Sequence, residues 1–163
     1  MTIPGRRQLN FAGFLACAGM MGYALFVQYG LGLEPCPLCV LQRMAVISLG
    51  VVFLIAALQN PKGSGRLLYA LLVVAAAGAG IGVAGRHVWI QSLPADQVPE
   101  CGPPFDFIID TRPLADALKM IFSGSGECAK IDWQFLGLSM PAWVLISLCC
   151  LGAFGIWNNL RRT

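Results

Sequence analysis

Residues 67–85 read LLYALLVVAAAGAGIGVAG, an uncharged run long enough to cross a lipid bilayer as a helix. A spanning helix needs about 20 mainly apolar residues. Three further windows meet this requirement, at residues 11–33, at residues 39–58, where Arg43 is the one charged residue, and at residues 141–158. The sequence therefore predicts an all-α integral membrane protein, a four-transmembrane-helix bundle with helices at about 11–33, 39–58, 67–86 and 141–158.

The composition supports a membrane protein. Of the 163 residues, 57% are hydrophobic and only 12% are charged, and the mean hydropathy is +0.71. Soluble domains carry about 25% charged residues, so a soluble enzyme, a nucleic-acid-binding protein and a disordered chain are all disfavoured. The first apolar run follows Arg6 and Arg7 as a signal peptide would, but it is longer than a signal core and no Ala-x-Ala cleavage site follows it. We expect a retained helix and a single membrane domain, 1–163.

The charges are distributed unevenly between the two sides that four helices would create. One side would carry both termini and the loop between the second and third helices, with six basic residues and no acidic one: Arg6, Arg7, Lys62, Arg66, Arg161 and Arg162. All eight acidic residues fall on the other side: Glu34, Asp96, Glu100, Asp106, Asp110, Asp116, Glu127 and Asp132. Because basic flanks stay cytoplasmic, we expect both termini inside and two outer loops, a short one at about 34–38 and a long one at about 87–140.

The long outer loop has two predicted parts. Residues 92–104 are rich in proline and polar residues, which predicts an irregular, mobile segment. Residues 113–122 predict a short amphipathic helix with Thr111 as a possible cap and Pro113 in its first turn. Its apolar face would consist of Leu114, Leu118, Ile121 and Phe122. This helix would lie either on the membrane surface or against the outer end of the bundle.

The seven cysteines divide into two groups. Cys17, Cys149 and Cys150 lie inside predicted helices, where a cysteine behaves as a small apolar packing residue. Cys36, Cys39, Cys101 and Cys128 all fall on the outer side, where disulfides can form and persist. Four cysteines allow three pairings, and proximity in the sequence favours Cys36–Cys39 and Cys101–Cys128.

Three interpretations of these four cysteines remain open. They could hold zinc through four thiolates, although zinc sites usually combine two closely spaced pairs, and we expect no metal. They could form purely structural disulfides, although a CxxC disulfide closes such a tight ring that it would stabilise the fold little. They could be redox-active, because Pro37 suits a first helical turn and places the CPLC motif where the helix dipole favours a thiolate.

Two polar residues lie close to the CPLC motif at the predicted membrane boundary. Arg43 follows Cys39 by four residues and so shares its helix face, and a cation at membrane depth usually has a function or a partner; alternatively it extends to the outer headgroups. His87, the single histidine, would follow the third helix at about the same depth. It is either a simple interfacial residue or a partner of Arg43 in binding the carbonyl oxygen of a flat, lipid-soluble acceptor. Cys101 lies among prolines, a context that keeps its thiol exposed.

Together these residues resemble the bacterial disulfide-bond formation protein B family, DsbB. The resemblance covers nearly the whole chain and rests on EPCPLCVLQR at 34–43, RHVWIQSLP at 86–94, SGECAKIDWQFLGLSMPAW at 125–143 and the two loop cysteines. The vitamin K epoxide reductase family also combines four helices, a CxxC motif and a quinone-like substrate, but the DWQFLGLSMPAW stretch and the cysteine spacing favour DsbB.

The resemblance implies a quinone-dependent thiol oxidase of the bacterial inner membrane. It implies that DsbA, a periplasmic thioredoxin-fold oxidant, is reoxidised by the Cys101–Cys128 disulfide, with Cys101 forming the mixed disulfide. Electrons would then pass to Cys36–Cys39 through a transient Cys36–Cys128 bridge. Cys39 would meet ubiquinone or menaquinone from the membrane pool, near Arg43 and His87. Some members carry an acid at the position of Gln42, to which we assign no role, and paralogues serve other partners. A disulfide-stapled membrane scaffold without catalysis is the alternative from a different class.

Overall fold

The structure is a computed structural model that describes residues 4–94, 96–98, 107, 110–111, 113–123 and 126–161. Within these residues, four helices are long and apolar enough to cross a membrane, which confirms the predicted all-α, four-helix membrane protein. They are α1 (Arg6–Leu31), α2 (Pro37–Gln59), α3 (Gly65–Gln91) and α6 (Met140–Leu160). Two short helices, α4 (Leu114–Ser123) and α5 (Gly126–Ala129), and two short strands, β1 (Gln134–Phe135) and β2 (Leu138–Ser139), lie between α3 and α6.

The long helices pack in the order α1, α2, α3, α6. Phe53 lies at the centre of an apolar core that all four contribute to. Gly80 of α3 allows the closest approach in this core, because a Cβ atom there would lie 2.7 Å from Leu148 Cδ1 and 2.9 Å from Ala45 Cβ. Gly78, two residues earlier, has open space instead. Small residues are common where membrane helices approach closely.

One end of the bundle, which we call the polar end, is closed by buried asparagines. Asn10, Asn158 and Asn159 have no exposed surface. Asn10 Oδ1 accepts from Asn158 Nδ2 at 3.0 Å, and Asn10 Nδ2 donates to Asn159 Oδ1 at 3.3 Å. Arg6 joins them by donating to the backbone carbonyls of Asn158 and Arg161. These bonds tie the start of α1 to the end of α6.

The helix ends differ from the predicted ones where polar groups find partners. α1 begins at Arg6 because its guanidinium bonds carbonyls that end α6. It ends at Leu31 because Gly32 turns the chain with a φ of +68°, a conformation that glycine adopts readily. α3 runs on to Gln91, so our placement of His87 after the third helix was wrong: His87 lies inside it.

The predicted loop helix matches α4. It packs on the end of the bundle opposite the polar end, which we call the cysteine end because Cys36 and Cys128 lie there. Ile121 is only 2% exposed and packs in a cluster with Leu38 of α2 and Val83 of α3. Arg86 of α3 donates to the Phe122 carbonyl. These contacts favour packing against the bundle over lying on the membrane surface. The side chains of Leu114 and Leu118 are outside the described part of the chain, as are residues 95 and 99–104 of the segment we expected to be irregular.

The hydroxyl of Thr111, the predicted cap of α4, donates backwards to the Phe107 carbonyl. A second local feature was not predicted. Residues 134–139 form a two-stranded antiparallel hairpin within the segment expected to be loop. Gly137, with a φ of +78°, makes its turn, and Trp143 of α6 donates to the Phe135 carbonyl at 3.0 Å. The hairpin is thus held against the start of α6.

Candidate redox site

The CPLC motif occupies the first turn of α2, as predicted from Pro37. Cys36 is the N-cap residue, and its sulfur accepts a hydrogen bond from the Cys39 backbone N–H at 3.4 Å. The two sulfurs are 3.2 Å apart, whereas a disulfide bond is about 2.05 Å long. The helical turn therefore holds two thiols where a small side-chain movement would join them.

His87 of α3 lies beside both of these thiols. Its Nε2 is 3.8 Å from Cys36 Sγ and its Nδ1 is 4.0 Å from Cys39 Sγ. The imidazole is only 2% exposed. A buried imidazole needs partners for both ring nitrogens, and these partners determine what the ring can do.

The hydrogen bonds of His87 define its tautomer. Nε2 lies 3.0 Å from the Cys128 carbonyl, and because a carbonyl only accepts, Nε2 carries the proton. In the neutral ring Nδ1 then accepts, and it does so from the Gln42 side-chain amide at 2.9 Å. Gln42 is 4% exposed. Gln42, to which we assigned no role from the sequence, is therefore the direct partner of the histidine. In the sequence it was recognisable only as an amide next to Arg43 inside an apolar helix.

Cys128 of α5 completes the group. It is fully buried, and its sulfur lies within 4.8 Å of both Cys36 Sγ and a ring nitrogen of His87. Leu38, Ile90 and Ile121 form the apolar cluster around it. The fold thus brings together three of the four predicted redox cysteines with the predicted histidine. Cys101, the fourth, lies outside the described residues.

Arg43, one helical turn after Cys39, bonds to α1. Its guanidinium donates to the Gln28 side-chain carbonyl and, at 3.1 Å, to the Ala24 backbone carbonyl. Arg43 is half-buried, so the cation near the cysteine end has partners in the protein. Sequence reasoning missed Gln28, because the contact depends on how α1 packs against α2.

The other three cysteines lie elsewhere. Cys17 is buried in the apolar core with Phe53 and Leu49, as expected for a packing residue. Cys149 and Cys150 are exposed on the outer surface of α6, so they are not core residues in this chain. None of the three belongs to the group around His87.

Known proteins resemble this chain along nearly its full length. Residues 6–158 match the family profile described as disulfide bond formation protein DsbB. A disulfide bond formation protein B of Nitrosococcus oceani is 52% identical over 155 residues, covering 95% of this chain and 92% of that protein. One of Methylococcus capsulatus is 50% identical and covers 99% of this chain and all of that protein. One of Marinobacter nauticus is 47% identical, covering 91% and 89%.

Proposed function

Because the chain belongs to the DsbB family of disulfide bond formation proteins, we propose that it is a quinone-dependent thiol oxidase that reoxidises a DsbA-like periplasmic protein. Family membership makes it a multi-pass membrane protein with a disulfide oxidoreductase role. The partner, the acceptor and the site residues are our proposal.

The observation that carries the proposal is the meeting of Cys36, Cys39 and Cys128 around His87. Cys128 is remote from the CPLC motif in the sequence, yet its sulfur lies within 4.8 Å of Cys36 Sγ. Exchange between two cysteine pairs requires such an approach, because a thiolate must attack a disulfide sulfur directly. A merely structural pair of disulfides has no need for it.

The proposed exchange proceeds in balanced steps. A thiolate of the reduced partner attacks the Cys101–Cys128 disulfide at Cys101, and the second partner thiol then resolves the mixed disulfide. The partner loses two electrons and two protons, and Cys101 and Cys128 become thiols. The Cys128 thiolate next attacks Cys36, which breaks the Cys36–Cys39 bond and releases Cys39 as a thiolate. Cys101 resolves the Cys36–Cys128 bridge, which restores Cys101–Cys128 and leaves Cys36 and Cys39 reduced.

We propose a membrane quinone, ubiquinone or menaquinone, as the acceptor of the two electrons and two protons of Cys36 and Cys39. The residues at the cysteine end suit such an acceptor. Cys39 and His87 offer a thiol and a ring nitrogen 4.0 Å apart, and Arg43 carries a positive charge between α1 and α2. Phe26 and Tyr29, close to Gln28 in the sequence of α1, are exposed, which leaves this part of α1 open to a lipid-soluble molecule in the membrane. We assign quinone binding to Arg43, His87 and Cys39.

The charge distribution supports an orientation with both termini cytoplasmic in a bacterial inner membrane. Arg6 and Arg161 lie together at the polar end, with Pro61 of the α2–α3 loop. This end has the basic residues that stay cytoplasmic. The cysteine end would then face the periplasm, where disulfides persist.

Anaerobic mixing of the purified protein with reduced DsbA and a soluble quinone tests the proposal through the quinone absorbance. Catalytic loss of oxidised quinone is expected, and Cys39→Ala and Cys101→Ala should each abolish it while membrane expression stays near normal. Cys150→Ala is the matched control and should retain turnover. Intact disulfides without quinone reduction would contradict the proposal and favour a scaffold; turnover with another thioredoxin-like partner only would identify a paralogue.

A further inference from the structure

The group around His87 contains more than disulfide exchange requires. Cys36 Sγ, Cys128 Sγ and a ring nitrogen of His87 all lie within 4.8 Å of one another. Exchange needs the sulfurs to meet, but it does not need an imidazole nitrogen 3.8 Å from Cys36 Sγ. Two thiols and one imidazole converging on a point are instead the donor set of a thiophilic metal ion.

We propose that the dithiol form of this site binds one thiophilic divalent cation, Zn²⁺ or Cd²⁺, through Cys36, His87 and Cys128. Zinc–sulfur bonds of about 2.3 Å and zinc–nitrogen bonds of about 2.0 Å in a tetrahedron separate two sulfurs by about 3.8 Å and a sulfur from a nitrogen by about 3.5 Å. The observed 3.8 Å between Cys36 Sγ and His87 Nε2 is about 0.3 Å longer than the second value. The other separations, within 4.8 Å, require side-chain shifts, and the Cys128 carbonyl that accepts from Nε2 at 3.0 Å must turn away to admit the metal.

The charge balance suits the burial of this group. Two thiolates and one divalent cation sum to zero, so the complex adds no net charge to a site where Cys128 is fully buried among Leu38, Ile90 and Ile121. Burying an uncompensated charge there would be costly. A complex with four thiolates would carry two negative charges, which this apolar cluster would disfavour.

Binding releases two protons, one from each thiol, and forms two metal–sulfur bonds and one metal–nitrogen bond without any change in oxidation state. The proton on His87 Nε2 moves to Nδ1, which frees Nε2 for the metal. Gln42 already lies 2.9 Å from Nδ1, and rotation of its amide turns the donor into an acceptor for that proton. A ligating histidine usually donates its other N–H to such an oxygen.

Metal binding and disulfide formation compete for the same sulfurs. A disulfide at Cys36 or Cys128 removes a thiolate that the cation needs, so only the reduced site binds. A bound cation in turn blocks oxidation of that site, a consequence that rests on the proposed function. Binding itself does not, because it requires neither the partner protein nor the quinone.

Titration of the full-length protein in detergent micelles tests the inference. The protein is reduced anaerobically, freed of reductant and titrated with Cd²⁺, following the thiolate-to-cadmium charge-transfer absorbance and the protons released. We expect one Cd²⁺ per chain and two protons per Cd²⁺. Because metal affinity depends on each ligand, Cys36→Ser, Cys128→Ser and His87→Gln should each weaken binding at least about tenfold. Cys150→Ser is the matched control and should leave the affinity unchanged.

Two results would overturn the inference. One is wild-type affinity in both Cys128→Ser and His87→Gln, which would assign the metal to the CPLC pair alone. The other is equal binding by the oxidised protein, which would make the metal adventitious. X-ray absorption of the wild-type Zn²⁺ complex needs no variant and should show nitrogen together with sulfur ligands; a sulfur-only spectrum refutes the assignment even if the variants do not fold. Quinone reduction in metal-free buffer is measured separately, so failure here leaves the proposed oxidase intact.

Discussion

Replacing Gln42 with leucine removes the group that fixes the tautomer of His87. In the wild-type structure the Gln42 amide donates to Nδ1 at 2.9 Å, while Nε2 donates to the Cys128 carbonyl at 3.0 Å. Leucine has a similar volume but no hydrogen-bond donor. Nδ1 of His87, a residue that is only 2% exposed, therefore loses its partner. A buried acceptor without a hydrogen bond costs about 1–3 kcal/mol.

This cost should appear as a loss of the productive orientation of the ring. If His87 must sit as observed for turnover, a penalty of about 1–3 kcal/mol reduces the rate of quinone reduction about 5- to 150-fold, since about 1.4 kcal/mol is a factor of ten. The control is Gln59→Leu at the polar end, which removes the acceptor of the Tyr69 hydroxyl. It should leave the rate within about twofold of wild type, as is usual for independent sites.

Nitrogen-15 NMR provides a second measurement of the same prediction, and because the chain has one histidine, its assignment is unambiguous. Wild-type protein should show a protonated Nε2 and an unprotonated Nδ1 on His87. Gln42→Glu offers an acceptor in place of the donor, so it should add a proton at Nδ1. A wild-type ring protonated at Nδ1 alone would refute the tautomer, and unchanged shifts and turnover in Gln42→Leu would refute the role of Gln42.

Three further predictions concern other parts of the bundle. Arg43→Ala should raise the quinone KM or lower kcat more than Arg112→Ala does; equal steady-state kinetics would exclude a special role for Arg43. Gly80→Ala should destabilise the protein by about 1–3 kcal/mol through overpacking, whereas Gly78→Ala, facing open space, should not; both are measured by unfolding in detergent mixtures. Asn10→Leu should cost about 1–3 kcal/mol by leaving buried amides unpaired, and a variant as stable as wild type in the same assay would contradict that.

The four long helices could be predicted because each depends on one continuous property, an apolar run of sufficient length. Their ends could not, since they depend on distant partners: α1 starts at Arg6 because carbonyls at the end of α6 accept its guanidinium. The end of α3 was misplaced for a related reason. Arg86 and His87 look like boundary residues, but both find hydrogen-bond acceptors in the segment after α3, so the helix continues through them.

The candidate site likewise combines features that follow from the local sequence with features that depend on how distant elements pack. Cys36 and Cys39 are three residues apart in the first turn of a helix, and their proximity follows from local geometry. The approach of Cys128 depends on how α5 folds back onto α3, which spacing alone does not give. Gln42 lacked a recognisable pattern, because its role arises only when His87 from another helix lies opposite. The hairpin at 134–139 was missed because its strands have two residues each, too few for a periodic signal.

The asparagines at the polar end also constrain how the molecule is assembled. Asn10 bonds Asn158 and Asn159 across 148 and 149 positions of sequence, so during synthesis α1 enters the membrane long before its polar partners exist. Until α6 arrives, that amide must stay near the interface, find a temporary partner or remain with the insertion machinery. Insertion of α6 then supplies the asparagine partners of Asn10 and closes the bundle. Biogenesis intermediates lacking this helix should therefore be recognisable to membrane quality-control proteases by an unpaired amide at the start of α1.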